Sequence, residues 1–212
     1  CSGDNIYKAF PNLYTIRGTT YRDVKAWVES LDKMRDRAPE YLIPSHGRPL
    51  SGKDLIHTTL TDYRDGVRFV YEQTMRRLNQ GQTPDQIAAE LKLPEHLAKN
   101  PYLQEFYGTP EWSARSIYAG QMGWFDGNPS RLRPLAPKIA AQKWLTLIGG
   151  MSRAELELQQ ALIQKQHQWI LELTDQMLAI DPTNVLASTA RAQALFALGE
   201  QESNPNARHW YL

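Results

Sequence analysis

Disulfide chemistry is the first thing this chain forgoes. Cys1 is the only cysteine among 212 residues, so no intrachain bridge can form. That fits a reducing compartment and equally a secreted protein whose core needs no staples. No apolar stretch is long enough to cross a bilayer as a helix, and no signal-peptide pattern opens the sequence. An excess of one charge is missing as well: 24 basic residues face 23 acidic ones, for a net charge of +1. Without a clustered basic stripe there is nothing to favour a nucleic-acid surface. The chain starts at Cys rather than Met, and we expect it to be a piece of a longer protein.

Hydrophobic periodicity is plentiful. Asn12 to Ile16 is short and β-prone. In the stretch that follows, Val24, Trp27, Val28, Leu31 and Met34 keep helical spacing. That helix is expected to stop near Arg37, ahead of Pro39. Tyr41-Leu42-Ile43 reads as a short buried strand running into the turn-rich loop Pro44-Ser45-His46-Gly47-Arg48-Pro49. The order of helix, strand and polar loop is that of an α/β layer, where sites form beyond the carboxyl end of a strand.

From Lys53 to about Gln80 there is no proline and one glycine, Gly66, and the apolar positions form a long helical stripe ending at Gly81. Thr83-Pro84-Asp85-Gln86 restarts a helix with a capping box. Further helices are expected over 111–122 and 137–148, separated by the loop Gly123 to Pro134. Ser152-Arg153-Ala154-Glu155 has the form of another capping box, Asp181-Pro182 of the start of the last helix, and Gly199 of its end. Residues 181–199 look like half of a tetratricopeptide repeat. No 34-residue period recurs, so one or two helical hairpins are expected.

Three residues carry candidate chemistry. His46 follows a strand on a rigid loop, the placement of a metal ligand or of a hydrogen-bonded loop histidine. Asp4, in Ser2-Gly3-Asp4-Asn5, suits either a ligand that bridges two ions through its two oxygens or a turn residue. Arg17, beside Gly18 and two threonines, suits either a bidentate grip on an oxyanion or a surface ion pair. His57, His96, His167 and His209 share no ligand-like spacing. Trp112, Tyr118, Trp124 and Phe125 sit near a helix end, where aromatics serve a core or an interface.

Several stretches in order resemble one family. CSGDN, FPNLYTIRGT, YRDVKAW, PSHGRP, LTDYRD, YEQTMRRLNQG, YLQEFYGT, IYAGQMGWFDGNP and ARHWYL are similar to segments of the alkyl sulfatases. None is specific alone; the ordered set is. The resemblance implies a mainly α chain. Residues 1–52 would be a short α/β remnant of a metallo-β-lactamase-type αββα catalytic domain. Residues 53–212 would be an all-α dimerisation domain ending in tetratricopeptide-like hairpins. It implies two zinc ions, with Asp4 and His46 among their ligands and Arg17 on the sulfate group. It also implies a homodimer, hydrolysis of alkyl sulfate esters to alcohol and sulfate, and a periplasmic or secreted location. Tyr107 and Tyr118 fall in segments that reach towards the family's site.

One departure is large. The family's His-x-His-x-Asp-His signature, source of most zinc ligands, is absent, as is a further glutamate. Asp4 and His46 are two ligands where a catalytic zinc normally has three. The rest of the catalytic domain is expected to supply the others, and the isolated chain is expected to be inactive. A non-catalytic helical scaffold of tetratricopeptide type is the competing reading. It accounts for residues 51–212 but gives no use to Ser45-His46-Gly47-Arg48-Pro49.

Overall fold

The computed structural model describes residues 1–212, which gather into two compact units, Cys1–Asn128 and Pro129–Leu212. The first contains helix α1 (Val24–Asp36), strands β1 (Tyr41–Leu42) and β2 (Leu50–Ser51), and helices α2 (Lys53–Asn79), α3 (Pro84–Glu90), α4 (Glu95–Ala98) and α5 (Pro110–Met122). The second opens with a single 3₁₀ turn and holds α6 (Pro137–Ile148), α7 (Met151–Ile163), α8 (His167–Ile180), α9 (Val185–Gln201) and α10 (Pro205–Tyr211). The architecture is mainly α, as expected.

In the first unit α2 is the central element. Ile56, Leu60, Tyr63, Gly66, Val67 and Val70 form its buried face. Gly66 is there because of a close approach: a Cβ would lie 2.7 Å from the buried side chain of Leu103. α1 is capped by Asp23, whose carboxylate accepts from the Ala26 amide at 3.0 Å, and it packs Val24, Val28 and Leu31 into the same core. Ile6, Phe10 and Leu13 join that core from the N-terminal segment. The expected domain boundary at 52/53 therefore does not coincide with a break between compact units, since residues on both sides of it share one core.

β1 and β2 pair antiparallel, Tyr41 with Ser51 and Leu42 with Leu50, and this two-stranded ribbon is the whole sheet. Of the expected buried strand only Leu42 is buried; Tyr41 is 73% and Ile43 48% exposed. Side chains alternate across a strand, and a ribbon this short covers one face. Asn12 to Ile16 is irregular rather than extended, although Leu13 and Thr15 are buried.

Two helix starts agree with the sequence. Thr83 and Gln86 make a reciprocal capping box, and α5 begins where Thr109 accepts from the Trp112 amide. Other ends differ. α7 starts at Met151 off Gly150, so Ser152 lies inside the helix and caps nothing. Asp181 accepts from Thr183 in a turn, and Asn184 is the cap of α9. Gly199 lies within α9, where a Cβ would meet Leu212 at 2.7 Å. The helix runs on to Gln201, and α10 follows it. The core of this unit is Leu145, Leu158, Ile170, Leu173 and Met177 with the alanines of α7 and α9. No helix is long and apolar enough to cross a membrane.

Candidate metal and anion site

Asp4 sits on a tight turn closed by the Asn5 amide donating to the Ser2 carbonyl at 3.3 Å, with Gly3 in the left-handed region at φ 58°. The first leg of that turn runs parallel to the loop after β1. The Ser2 amide donates to the Ile43 carbonyl and the Ser45 amide to the Gly3 carbonyl, each at 3.1 Å, and Gly3 bridges Pro44. This short zipper brings Asp4 Oδ1 to 3.6 Å from His46 Nε2, with the side chains 68% and 75% exposed respectively. The separation is too long for a hydrogen bond. Both groups face an open cavity of about 530 Å³ that Arg17, Arg22, Tyr7 and Tyr107 also line.

Arg17 arrives from the other side of the cavity and donates through Nη2 to the Tyr107 hydroxyl at 3.2 Å. Tyr107 is carried on a segment pinned across the N-terminal strand of chain: the Phe10 amide donates to Gln104 and the Gly108 amide donates to Phe10. No residue larger than glycine fits at 108, where a Cβ would overlap the Pro11 carbonyl oxygen at 1.9 Å. The Asn12 side chain, and after it the Arg17 guanidinium, favour the Tyr107 phenolate, so this tyrosine lies below the usual range even though partial burial opposes the shift.

Tyr7 packs edge-on against Tyr107, ring centres 5.6 Å apart, and its hydroxyl accepts from the Asn12 amide at 2.7 Å. Burial pushes it up to about 12, so it stays protonated through the physiological range. Arg22 closes the loop by donating to the Asn12 carbonyl at 2.7 Å. The cavity thus pairs one carboxylate and one imidazole with two guanidinium groups and the Lys8 ammonium.

Of the residues expected from the sequence, Asp4, His46 and Arg17 are brought to one cavity. Tyr107 joins them. Tyr118 does not; it is buried on α5 within the core. No group of three or more His, Cys, Asp or Glu side chains is arranged to hold a metal ion. Tyr7, Arg22 and Trp27 also line the cavity but were not singled out beforehand. The sequence marks Trp27 only as an apolar position of α1 and gives Arg22 no signal of its own. Their polar contacts are with Asn5 and Asn12, distant in sequence, and nothing local announces them.

As a metal site the pair fits in part. Two ligand atoms on one tetrahedral zinc stand about 3.3–3.5 Å apart, close to the 3.6 Å found between Asp4 and His46. An oxygen and an imidazole nitrogen are donors that zinc accepts. The number of donors falls short of a complete set.

A family model for alkyl sulfatase dimerisation matches residues 83–212. A linear primary-alkylsulfatase of a Pseudomonas species is 39% identical over 95% of this chain. The chain belongs to the alkyl sulfatase family. An (R)-specific secondary-alkylsulfatase from Pseudomonas is 34% identical over the full chain. The solved structure of the stereoselective inverting sec-alkylsulfatase Pisa1 from Pseudomonas superposes with a TM-score of 0.90 at 34% identity, over 99% of this chain. The chain spans about a third of the length of these proteins, 38% and 32% of the two alkylsulfatases and 34% of the solved chain. The likeness to these alkylsulfatases takes in the site loops of residues 1–50 as well as the helices.

Proposed function

We propose that this chain contributes part of the active site of a zinc-dependent alkyl sulfatase and dimerises through its helical region. The complete enzyme hydrolyses alkyl sulfate esters to an alcohol and sulfate. In this reading residues 1–52 belong to a metallo-β-lactamase-type catalytic domain. The observation that carries the proposal is the meeting of Asp4 and His46, from separate loops, at 3.6 Å on a cavity that also presents Arg17.

Asp4 and His46 hold zinc together with ligands from the rest of the catalytic domain. Bound zinc supplies Lewis acidity and lowers the pKa of a coordinated water. Arg17 grips the sulfate group, and its fork geometry suits two oxygens at once. Tyr107 holds that guanidinium across the cavity, so the anion meets a donor already oriented. A helical scaffold without catalysis leaves this convergence unexplained.

The test is elemental analysis of the complete enzyme alongside hydrolysis of dodecyl sulfate. Two zinc ions per chain with activity, and loss of both in His46→Ala and Asp4→Ala, are expected. A wild-type enzyme that is active without zinc, or that lacks both zinc and activity, removes the proposal.

For the dimer, α2 turns its apolar stripe into its own core, whereas the loop after α5 leaves Trp124 76% exposed and edge-on to Phe125. Met122, at the end of α5, is also exposed. Exposed large apolar side chains of this kind mark an association surface. Trp124→Ser is expected to weaken self-association in sedimentation, and an unchanged dimer takes this loop out of the interface.

A further inference from the structure

We propose that Trp27, acting through Asn5, is a positioning residue for Asp4. The inference rests on the reading that Asp4 holds zinc, and it asks what holds Asp4. The carboxylate is mostly exposed, and His46 lies beside it beyond hydrogen-bond range. Its direction is therefore set by the backbone of its turn, and that backbone is fastened on both legs.

The first leg, Ser2 and Gly3, is the one zipped to residues 43–45. This fixes the turn relative to His46. The second leg begins at Asn5, and it is bolted to α1 by two hydrogen bonds. The indole N–H of Trp27 donates to the Asn5 carbonyl at 2.9 Å, and the Asn5 side-chain amide donates to Ser30 Oγ at 3.1 Å. Trp27 and Ser30 are three residues apart, so they stand on one face of α1. The adjoining face of that helix is anchored by Val24, Val28 and Leu31 in the core of α2, and its start is fixed by Asp23.

Asp4 is thus suspended between two fixed points, the His46 loop and a rigid helix. Partners that hydrogen-bond a ligand directly are typically worth about 10- to 100-fold in metal binding; Trp27 and Ser30 act one residue further out, on the backbone that aims the ligand. Trp27 also lines the cavity, so one residue both borders the site and holds the ligand's turn. A tryptophan used only for packing would need just its apolar surface; here the N–H is committed to the residue next to the ligand.

The experiment measures the zinc dissociation constant of the complete enzyme by competition with a chelator, for wild type, Trp27→Phe, Ser30→Ala and Ser30→Thr. Trp27→Phe keeps an aromatic ring and removes the donor. Zinc affinity is expected to fall at least tenfold in Trp27→Phe and severalfold in Ser30→Ala. It is expected to return to within twofold of wild type in Ser30→Thr, which restores the hydroxyl. With zinc saturating, kcat for dodecyl sulfate falls while KM stays within twofold, because Arg17 is untouched. Unchanged zinc affinity in both Trp27→Phe and Ser30→Ala overturns the inference while leaving the zinc reading intact. A wild-type enzyme without zinc overturns the zinc reading, and the inference with it. If Trp27→Phe fails to fold, the Ser30 pair decides alone.

Discussion

The two compact units are both helical, but their cores are built from different materials. In residues 1–128 the core is filled by large side chains drawn from distant segments, Phe10 and Ile6 against Tyr63, Leu103 and Ile117. In residues 129–212 it is filled by consecutive helices whose facing positions are often alanine, among them Ala154, Ala161, Ala187, Ala190 and Ala194. Small facing residues let neighbouring helices approach closely, and each helix meets others near it in sequence. The first unit instead depends on irregular chain that must be held in place by contacts across the fold. The candidate site belongs to that unit because bringing Asp4 beside His46, with Arg17 across from them, needs long-range organisation that a stack of hairpins does not provide.

The sharpest way to break the comparison is at Gly108. Gly108→Ala sets a Cβ against the Pro11 carbonyl, and backbone cannot yield as a flexible side chain does. A loss of about 4 kcal/mol or more is expected, read as lost hydrogen-exchange protection around Phe10 and α2. Protection kept at wild-type levels would show that the two segments can separate cheaply. Next is Leu158→Ala in α7, a fully buried side chain in the alanine-rich core. Its cost is expected near 2–5 kcal/mol, measured by denaturant unfolding. A cost under 1 kcal/mol would mean that this core collapses around the gap.

Alkaline pH acts on the first unit through Tyr7. Its ordinary value is 10 and in the fold it is pushed up to about 12 by burial. Between those values the unfolded chain has released the phenolic proton while the folded chain keeps it. Stability is therefore full below pH 10 and falls as pH rises towards 12, by about 3 kcal/mol. Tyr63, held well above its ordinary value by burial, adds in the same direction. Tyr107 runs the other way, since its lowered value favours the ionised form in the fold. Tyr7→Phe is expected to flatten this alkaline loss in chemical denaturation series; an unchanged slope would assign it elsewhere. The smallest effect is at a helix end of the second unit. Asn184 accepts from the Ala187 amide at 2.9 Å, and Asn184→Ala is expected to cost about 1 kcal/mol. No change in Tm would mean that packing alone starts α9.

The same contrast governs what could be read from the sequence. α1, α2, α5 and α6 announce themselves because their apolar faces repeat with a helical period over three or more turns. α10 does not, being seven residues long. Ser152 and Gly199 mislead for one reason: both have the residue type of a helix boundary, but Gly150 on one side and contact with Leu212 on the other decide where the helices begin and how they pack. In the site, His46 is legible from its rigid loop and Arg17 from its small neighbours. Asp4 carries almost no local signal and gains meaning beside His46. Trp27 and Arg22 are illegible, because spacing records where a side chain lies on a helix and not which distant carbonyl its N–H will find.

The clasp between Phe10 and residues 104–108 has a consequence for how chains of this family diverge. Tyr107 lies in the stretch matched by the dimerisation family, yet it is the residue that meets Arg17. A recombination joint placed at the start of that stretch would part the guanidinium from its phenol and Gly108 from the Pro11 carbonyl it must clear. A chimaera of two relatives that respects the family boundary is therefore expected to need residues 104–108 from the parent that supplies residues 1–50.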